Sequence, residues 1–433
     1  MTKKNRFRRG EPLGDRDSRQ TASMVYFVPV LGFRTVRRLY SQANGMRMDV
    51  IKRQRFFLSL FFFLSGVCFA SWASRIPTIK TTFNYNEAEL GTILLFMPIS
   101  SLVGLPFSGW LVSRYDSRIP MTGGFVLLSF AILGIGLAST TAVLIASISL
   151  LSFSFRILNI SLNTQAIHLQ KQFDKKINGS FHGLWSTGGI AGVAFCTLMV
   201  ALDVPMDIHL SLVAALALLV TLYGQRFLLR KDRAATGNRL ILSKPDPYIV
   251  YLGLMVFFAA ICEGGMFDWG GVFFREVVQM EIFTWGYLFF MICMALSRFA
   301  SDRVVEKIGM PTTYVISAVF VFGGVALAVA LPEFWTSLIG FCLVGLGTAS
   351  IVPMTFTLAG NSVKYSPGMA ISIIATYSIV GMLVGPPLVG YLAHALNLRV
   401  AFIIFAIAGL MLIPISRLFF GFVRNAIPVP KDS

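Results

Sequence analysis

The chain has 433 residues, 55% of them hydrophobic and 13% charged, and a formal net charge of +17. Soluble domains carry about 25% charged residues, and the 39 Phe residues show that the shortage is not filled by polar disorder, so a soluble globular protein is excluded. What charge exists sits in short breaks between apolar runs of about 18 residues or more, the length needed to cross ~30 Å of hydrocarbon as a helix.

The N-terminal stretch, residues 1–55, holds fourteen Lys/Arg against Glu11, Asp15, Asp17 and Asp49, and so most of the net charge. It has neither aromatic interleaving nor a fold signal for base readout. It is expected to be an unstructured cytoplasmic arm able to lie on anionic lipid, with no nucleic-acid partner. Met24 to Phe33 is apolar but too short to span, and no small-residue cleavage site follows it. Met46 and Met48 stand just ahead of the first span, so a later start codon would remove the first 45 residues.

Twelve spans are expected, at 56–74, 88–112, 119–138, 142–168, 179–201, 207–228, 247–274, 282–305, 311–330, 334–358, 367–393 and 398–420. With the N-terminus inside, the outer loops carry only Arg75, Lys80, Arg275 and Arg399, whereas the inner loops and tail carry most of the remaining Lys and Arg. The positive-inside rule then places both termini in the cytoplasm. The most polar internal stretch, 229–246, separates a six-helix bundle over 56–228 from a second over 247–420, and 421–433 form a short tail.

Two echoes support a duplicated bundle. Gly109-Trp-Leu-Val-Ser113-Arg114 in the second span returns as Arg298-Phe-Ala-Ser-Asp302-Arg303 in the eighth, and Trp185-Ser-Thr-Gly-Gly189 in the fifth as Tyr377-Ser-Ile-Val-Gly381 in the eleventh. The fold class is therefore all-α and polytopic, with twelve transmembrane helices in two bundles of six.

Gly109-x-Leu111-x-Ser113-Arg114-x-Asp116-x-Arg118 resembles the G-x-L-x-D-R-x-G-R signature of the major facilitator superfamily, with Ser at the Asp position and Asp at the second Gly position. More narrowly, Ser71-Trp72-Ala73-Ser74-Arg75-Ile76-Pro77, Glu263-Gly264-Gly265-Met266-Phe267-Asp268-Trp269, Gly345-x-Gly347 with Val352-Pro353, Ser366-Pro367-Gly368 and Gly385-Pro386-Pro387-x-x-Gly390 resemble the YbjJ-type inner-membrane carriers near the fucose-permease-like sugar transporters. The resemblance covers residues 55–420. It implies alternating access around a central cavity lined by spans 1, 4, 7 and 10, in a bacterial inner membrane. It also implies inner-side gating contacts at Arg114, Arg118, Asp302 and Arg303.

Ionisable groups persist in hydrocarbon where a cavity or a partner receives them. Arg156, Glu263, Asp268 and Arg298 are the groups of this kind, with Arg298 expected near the inner end of span 8. Glu263 and Asp268 are the candidates for proton coupling, since burial favours a carboxyl that takes up and releases a proton. Arg156 is expected some 12 to 15 Å from Glu263 in depth, counting ~1.5 Å per residue, which makes a direct pair doubtful. Arg156, Asn159 and Asn163 share a helical face, and Gln165 continues the polar stripe; amides that both donate and accept suit a neutral polyol. Trp72, Trp269 and Tyr377 are candidates for stacking on a ring or a cation, as is Trp185.

The reading is a proton-linked secondary transporter for a small polar solute such as a sugar or polyol, monomeric in the bilayer. The alternatives are a proton antiporter exporting amphipathic cations and a non-transporting receptor or scaffold on the same fold. The five cysteines lie in apolar segments without a CxxC or a Cys/His cluster, and neither HExxH nor a Walker loop after a strand occurs. Accordingly, no metal, cofactor or enzymatic activity is expected.

Overall fold

The computed structural model describes residues 33–173, 177–230, 232, 246–365 and 367–426. These residues are helical with short connections, and among them are 11 helices long and apolar enough to cross a membrane, together with the shorter apolar helix Trp285–Ser301. The spans are Phe33–Ala73 (span 1), Glu87–Leu94 continued by Phe96–Arg114 (span 2), Arg118–Gly136 (span 3), Thr141–Gln170 (span 4), Asn178–Ala201 (span 5) and Met206–Gly224 (span 6). Pro247–Glu276 is span 7, Trp285–Ala330 holds spans 8 and 9, Phe334–Thr348 and Ile351–Gly360 form span 10, Pro367–Ala395 is span 11, and Leu398–Ala401 with Ile403–Ala426 form span 12.

Helix starts follow local chemistry. Asn86 and Glu89 make a reciprocal capping box at span 2, and Thr140, Asp246 and Asn397 each accept a backbone N–H at the start of spans 4, 7 and 12. Spans 8 and 9 are divided at Gly309, whose φ of 78° lies in the left-handed region that glycine tolerates best, with Pro311 just beyond. The helix that carries span 1 begins at Phe33, well ahead of the expected 56, because no proline interrupts Phe33–Ala73, while the stretch apolar enough to cross a membrane starts at Met48. Residues 33–55 are thus helical rather than an unstructured arm; the remainder of the arm, most of the linker and the tail beyond Ala426 lie outside the described residues.

Spans 1 and 5 meet backbone to backbone. A Cβ placed on Gly188 would stand 2.0 Å from the Phe63 carbonyl oxygen, one on Gly192 2.6 Å from that of Val67, and one on Gly66 2.1 Å from that of Trp185. Spans 7 and 11 repeat the arrangement, with a Cβ on Gly381 falling 2.5 Å from the Phe257 carbonyl oxygen. The echo between residues 185–189 and 377–381 is therefore a repeated helix contact made through small residues. Gly188→Val should abolish recovery of folded protein, since both sides of the clash are backbone and neither can repack; monodispersity in detergent checks this.

The stretch after span 6 is fastened to the first six spans. Gln165 in span 4 both donates to and accepts from the backbone of Leu229, at 3.1 Å each way. Asp232 is buried and receives the Ser117 N–H at 2.9 Å and its hydroxyl. Gln165, grouped from sequence with the solute-facing stripe, is a structural clasp instead.

Candidate functional site

One end of the helices carries Lys80 and the other Arg114. At the Lys80 end the first six and last six spans are locked together. Lys80, only 6% exposed, bridges Glu87 at 2.8 Å and Glu276 of span 7 at 2.5 Å. Thr92 meets the Tyr391 hydroxyl at 3.1 Å, and a Cβ on Gly91 would fall 2.9 Å from the Pro386 carbonyl oxygen, so spans 2 and 11 touch through glycine. Thr197 pairs with Thr284 at 2.8 Å between spans 5 and 8. Arg75, expected in an outer loop, is buried beside this seal, donating to His209 at 3.1 Å and to the Val204 carbonyl at 3.0 Å.

Deeper in, Arg298 of span 8 donates to Glu263 of span 7 at 3.0 Å and to the Ser186 hydroxyl of span 5 at 3.4 Å. The side chains are 30% and 14% exposed, Arg298 and Glu263 respectively, so the pair is partly buried. Arg298 is not near an inner helix end. Span 8 runs on to Gly309, and 13 residues from Trp285 at ~1.5 Å each place Arg298 about 20 Å below the Lys80 end. Glu263, 13 residues before Glu276, lies at about the same depth by the same rise.

Arg156 is 15 residues into span 4, about 22 Å below that end, so the expected depth gap from Glu263 closes. The gap came from taking spans of bilayer thickness, whereas spans 4 and 7 have 30 residues each. Arg156 nonetheless takes its own partner, the Ser101 hydroxyl of span 2, at 2.9 Å from Nε and 2.6 Å from Nη2. Asn159 is exposed and Asn163, half-buried, donates to the Asn159 carbonyl at 2.7 Å.

Aromatic rings line the space between these groups. Phe69 of span 1 stands edge-on to Phe155 of span 4 and Phe267 of span 7, at 5.8 and 5.4 Å, and tilted to Trp185 at 5.9 Å. Tyr287 packs edge-on to Phe267 at 5.7 Å. Its hydroxyl, the Trp269 Nε1–H and the Arg298 Nε–H are buried without a hydrogen-bond partner among the described residues. Asp268 is half-buried, some 12 Å below the Lys80 end by the helical rise.

The candidates fall into groups. Glu263 and Arg298 form one centre and Arg156, Asn159 and Asn163 a second polar face. Trp72 and Trp269, at 1% and 0% exposure, are enclosed in packing and present no face to a solute in this conformation. Tyr377 is half-buried with its ring over Gly253 of span 7. Arg114 and Arg303 are exposed and Arg118 half-buried at the far end; the Asp302 side chain lies outside the described residues. Ser186, Lys80, Glu87 and Glu276 were missed by sequence reasoning, which treated Ser186 only as part of the Trp185–Gly189 echo and Lys80 as a loop charge. No group of three or more His, Cys, Asp or Glu placed to hold a metal occurs among the described residues.

Comparison with known proteins agrees with this architecture. The Major Facilitator Superfamily profile matches residues 11–197 and 282–432, entering the N-terminal arm that the sequence resemblance left out. An uncharacterised transporter of this type from Yersinia pestis is 28% identical over 347 residues, 79% of this chain and 90% of its own length. Membrane protein MosC of Rhizobium meliloti is 28% identical over 375 residues, 85% of this chain and 90% of its own. Among solved structures, the nucleoside transporter NupG aligns with a TM-score of 0.69 at 14% identity, over 84% of this chain and 99% of its own. A bacterial homologue of the human lysosomal transporter Spinster, inward-facing and unoccupied, aligns with a TM-score of 0.69 at 13% identity, over 89% and 99%. The chain is a multi-pass membrane transporter, not an enzyme, and it belongs to the Major Facilitator Superfamily.

Proposed function

We propose that this protein is a secondary active transporter of a bacterial inner membrane, proton-linked and monomeric, which carries a small polar solute such as a sugar or polyol by alternating access. The two bundles, 56–228 and 247–420, rock about the central cavity, and both termini are cytoplasmic. The Lys80 end, which is sealed here, then faces the periplasm.

The observation that carries the reading is the Glu263–Arg298–Ser186 bridge, which joins a carboxylate to both sets of six spans at mid-depth. With Glu263 ionised, Arg298 is held by charge and its Nη1 reaches Ser186. Protonation of Glu263 removes that attraction and frees Arg298, loosening the contact between spans 5 and 8. A proton thereby biases which face the cavity opens to, because a ligand shifts a two-state equilibrium by its differential affinity for the two states. Arg156, Asn159 and Asn163 supply donors and acceptors for solute hydroxyls, and the rings around Phe69 and Trp185 give an apolar wall for a sugar face. Asp268 and Tyr377 flank this region on spans 7 and 11.

The test is thermal stability of the purified protein against neutral sugars, polyols, nucleosides and lipophilic cations at acidic and neutral pH. A ligand that binds only the folded state raises its melting temperature by mass action. A saturable shift from a neutral hydroxylated solute that depends on pH supports the reading. Shifts from lipophilic cations alone would replace it with proton-driven efflux, and a chain that answers to none and moves no solute in vesicles would be a non-transporting relative.

A further inference from the structure

A second cavity, of mixed lining, lies away from the central site, between spans 9 and 12 at the Arg114 end of the helices. It has a volume of about 360 Å³ and is lined by Pro311, Thr312, Val315, Ser416, Arg417, Phe420 and Arg424. Its chemistry divides sharply. Arg417 and Arg424 are seven residues apart, two helical turns, and so project from one face of span 12. Thr312 adds a hydroxyl, whereas that of Ser416 is buried and donates to the Ile413 carbonyl at 3.0 Å; no carboxylate lines the cavity, and neither arginine forms an ion pair or hydrogen bond among the described residues. Both guanidinium groups are exposed. Span 9 starts beside them after Gly309, with its positive dipole end and Pro311 at the rim.

The opposite wall is greasy. Val315 and Phe420 line the cavity. Ile316 and Val319 continue from Thr312 along span 9 at 38% and 52% exposure, and Leu418 and Phe422 flank Arg417 on span 12 at 58% and 36%. Two unpaired arginines where a helix bundle leaves water, above an exposed aliphatic track, match an oxyanion that carries hydrocarbon chains. A guanidinium takes a phosphate in a planar two-point hydrogen-bonded fork, and basic pockets between spans at the cytoplasmic face suit anionic headgroups.

We infer that this cavity binds the phosphate of an anionic phospholipid, its headgroup held between Arg417 and Arg424 with Thr312 as an auxiliary donor, and an acyl chain lying along Ile316 and Val319. The site is independent of the central cavity and of the transport reaction. A soluble phosphate compound offers the same oxyanion without the chains, and the apolar track favours the lipid.

The experiment uses the full-length protein in detergent, with phosphatidylglycerol, phosphatidylethanolamine or inorganic phosphate added at matched phosphate concentration, followed by native mass spectrometry and melting temperature. Wild type should retain phosphatidylglycerol in preference to phosphatidylethanolamine and melt higher with it, and inorganic phosphate should not reproduce the effect. Arg417→Gln with Arg424→Gln should elute as wild type does in size exclusion and bind phosphatidylglycerol at least about tenfold more weakly, the scale expected for losing two charge-assisted contacts. Arg417→Lys with Arg424→Lys should recover part of the preference. Lys171→Gln with Lys364→Gln, an equal loss of charge from exposed positions elsewhere at the same end, should leave it intact. Equal retention by wild type and the double glutamine variant, or equal loss in the Lys171/Lys364 control, would overturn the assignment. Stabilisation by inorganic phosphate matching that by the lipid would overturn the lipid in favour of a soluble anion.

Discussion

Glu263→Gln should abolish proton-driven accumulation of the transported solute while leaving its binding measurable. Glutamine keeps the shape of a protonated glutamate and cannot take the charge, so Arg298 loses its ion-pair partner and is left with neutral acceptors, the glutamine Oε1 and the Ser186 hydroxyl. The coupling free energy between ligands in two-state proteins is typically about 1 to 3 kcal/mol, or ~5- to 150-fold in affinity, and accumulation should fall within that range or below detection. Uptake into proteoliposomes with an imposed pH gradient reads the first effect. Counterflow, which needs no gradient, reads whether the carrier still exchanges solute. Loss of accumulation with counterflow retained is the expected pair of results, and an unchanged pH profile would remove Glu263 from coupling. Arg298→Lys is the companion variant: it keeps charge, loses the two-armed reach to Glu263 and Ser186, and should slow exchange while leaving a pH dependence.

The second large effect is expected at the other seal. Lys80→Ala removes the cation that lies between Glu87 and Glu276, leaving two carboxylates across the junction of spans 2 and 7. Attraction becomes repulsion in a partly buried place, and the conformation closed at that end should lose about 1 to 3 kcal/mol, a shift of roughly one to two orders of magnitude in its population. Spin labels at Phe83 and Gln279, in the flanking loops, should move apart and broaden. Adding Glu276→Gln to Lys80→Ala removes the repulsion and should bring part of the short distance back, an outcome that misfolding would not give. Identical distance distributions in wild type and Lys80→Ala would show that the helix contacts alone hold this end shut.

The class of fold was legible because the bilayer imposes it: apolar runs, their breaks and the internal echo come from the composition of each segment. The pairing of charges was less legible, for a geometric reason. Depth was counted inward from bilayer edges, yet spans 4 and 7 have 30 residues each and overrun it. That error separated Arg156 from Glu263 and pushed Arg298 toward a helix end, hiding the Glu263–Arg298 pair. Lys80 and Arg75 were counted as loop charges, because orientation counting treats every Lys or Arg outside an apolar run as solvated. Both are buried, and the signal was local: Arg75 and Lys80 sit on either side of Pro77, Arg75 as the N-cap of the short helix Ile76–Thr82 that follows span 1 and Lys80 within it. Gln165 was misassigned because spacing gives the angle of a side chain about its own helix but not what the neighbouring chain brings there, here the backbone of Leu229.

The glycine seams have a mechanical consequence. Where Gly66, Gly188 and Gly192 bring spans 1 and 5 to backbone contact, and Gly381 does so for spans 7 and 11, the paired helices have no side-chain cushion in which to slide. Each pair is therefore a stiff beam, and displacement at one point along it appears at the far end with little loss. Ser186 lies on the first beam and Glu263 on the second, so the Arg298 bridge joins two levers at their middles. Releasing it by a fraction of an ångström would swing the beam ends through a distance set by their length, and the Lys80 clasp sits at such an end.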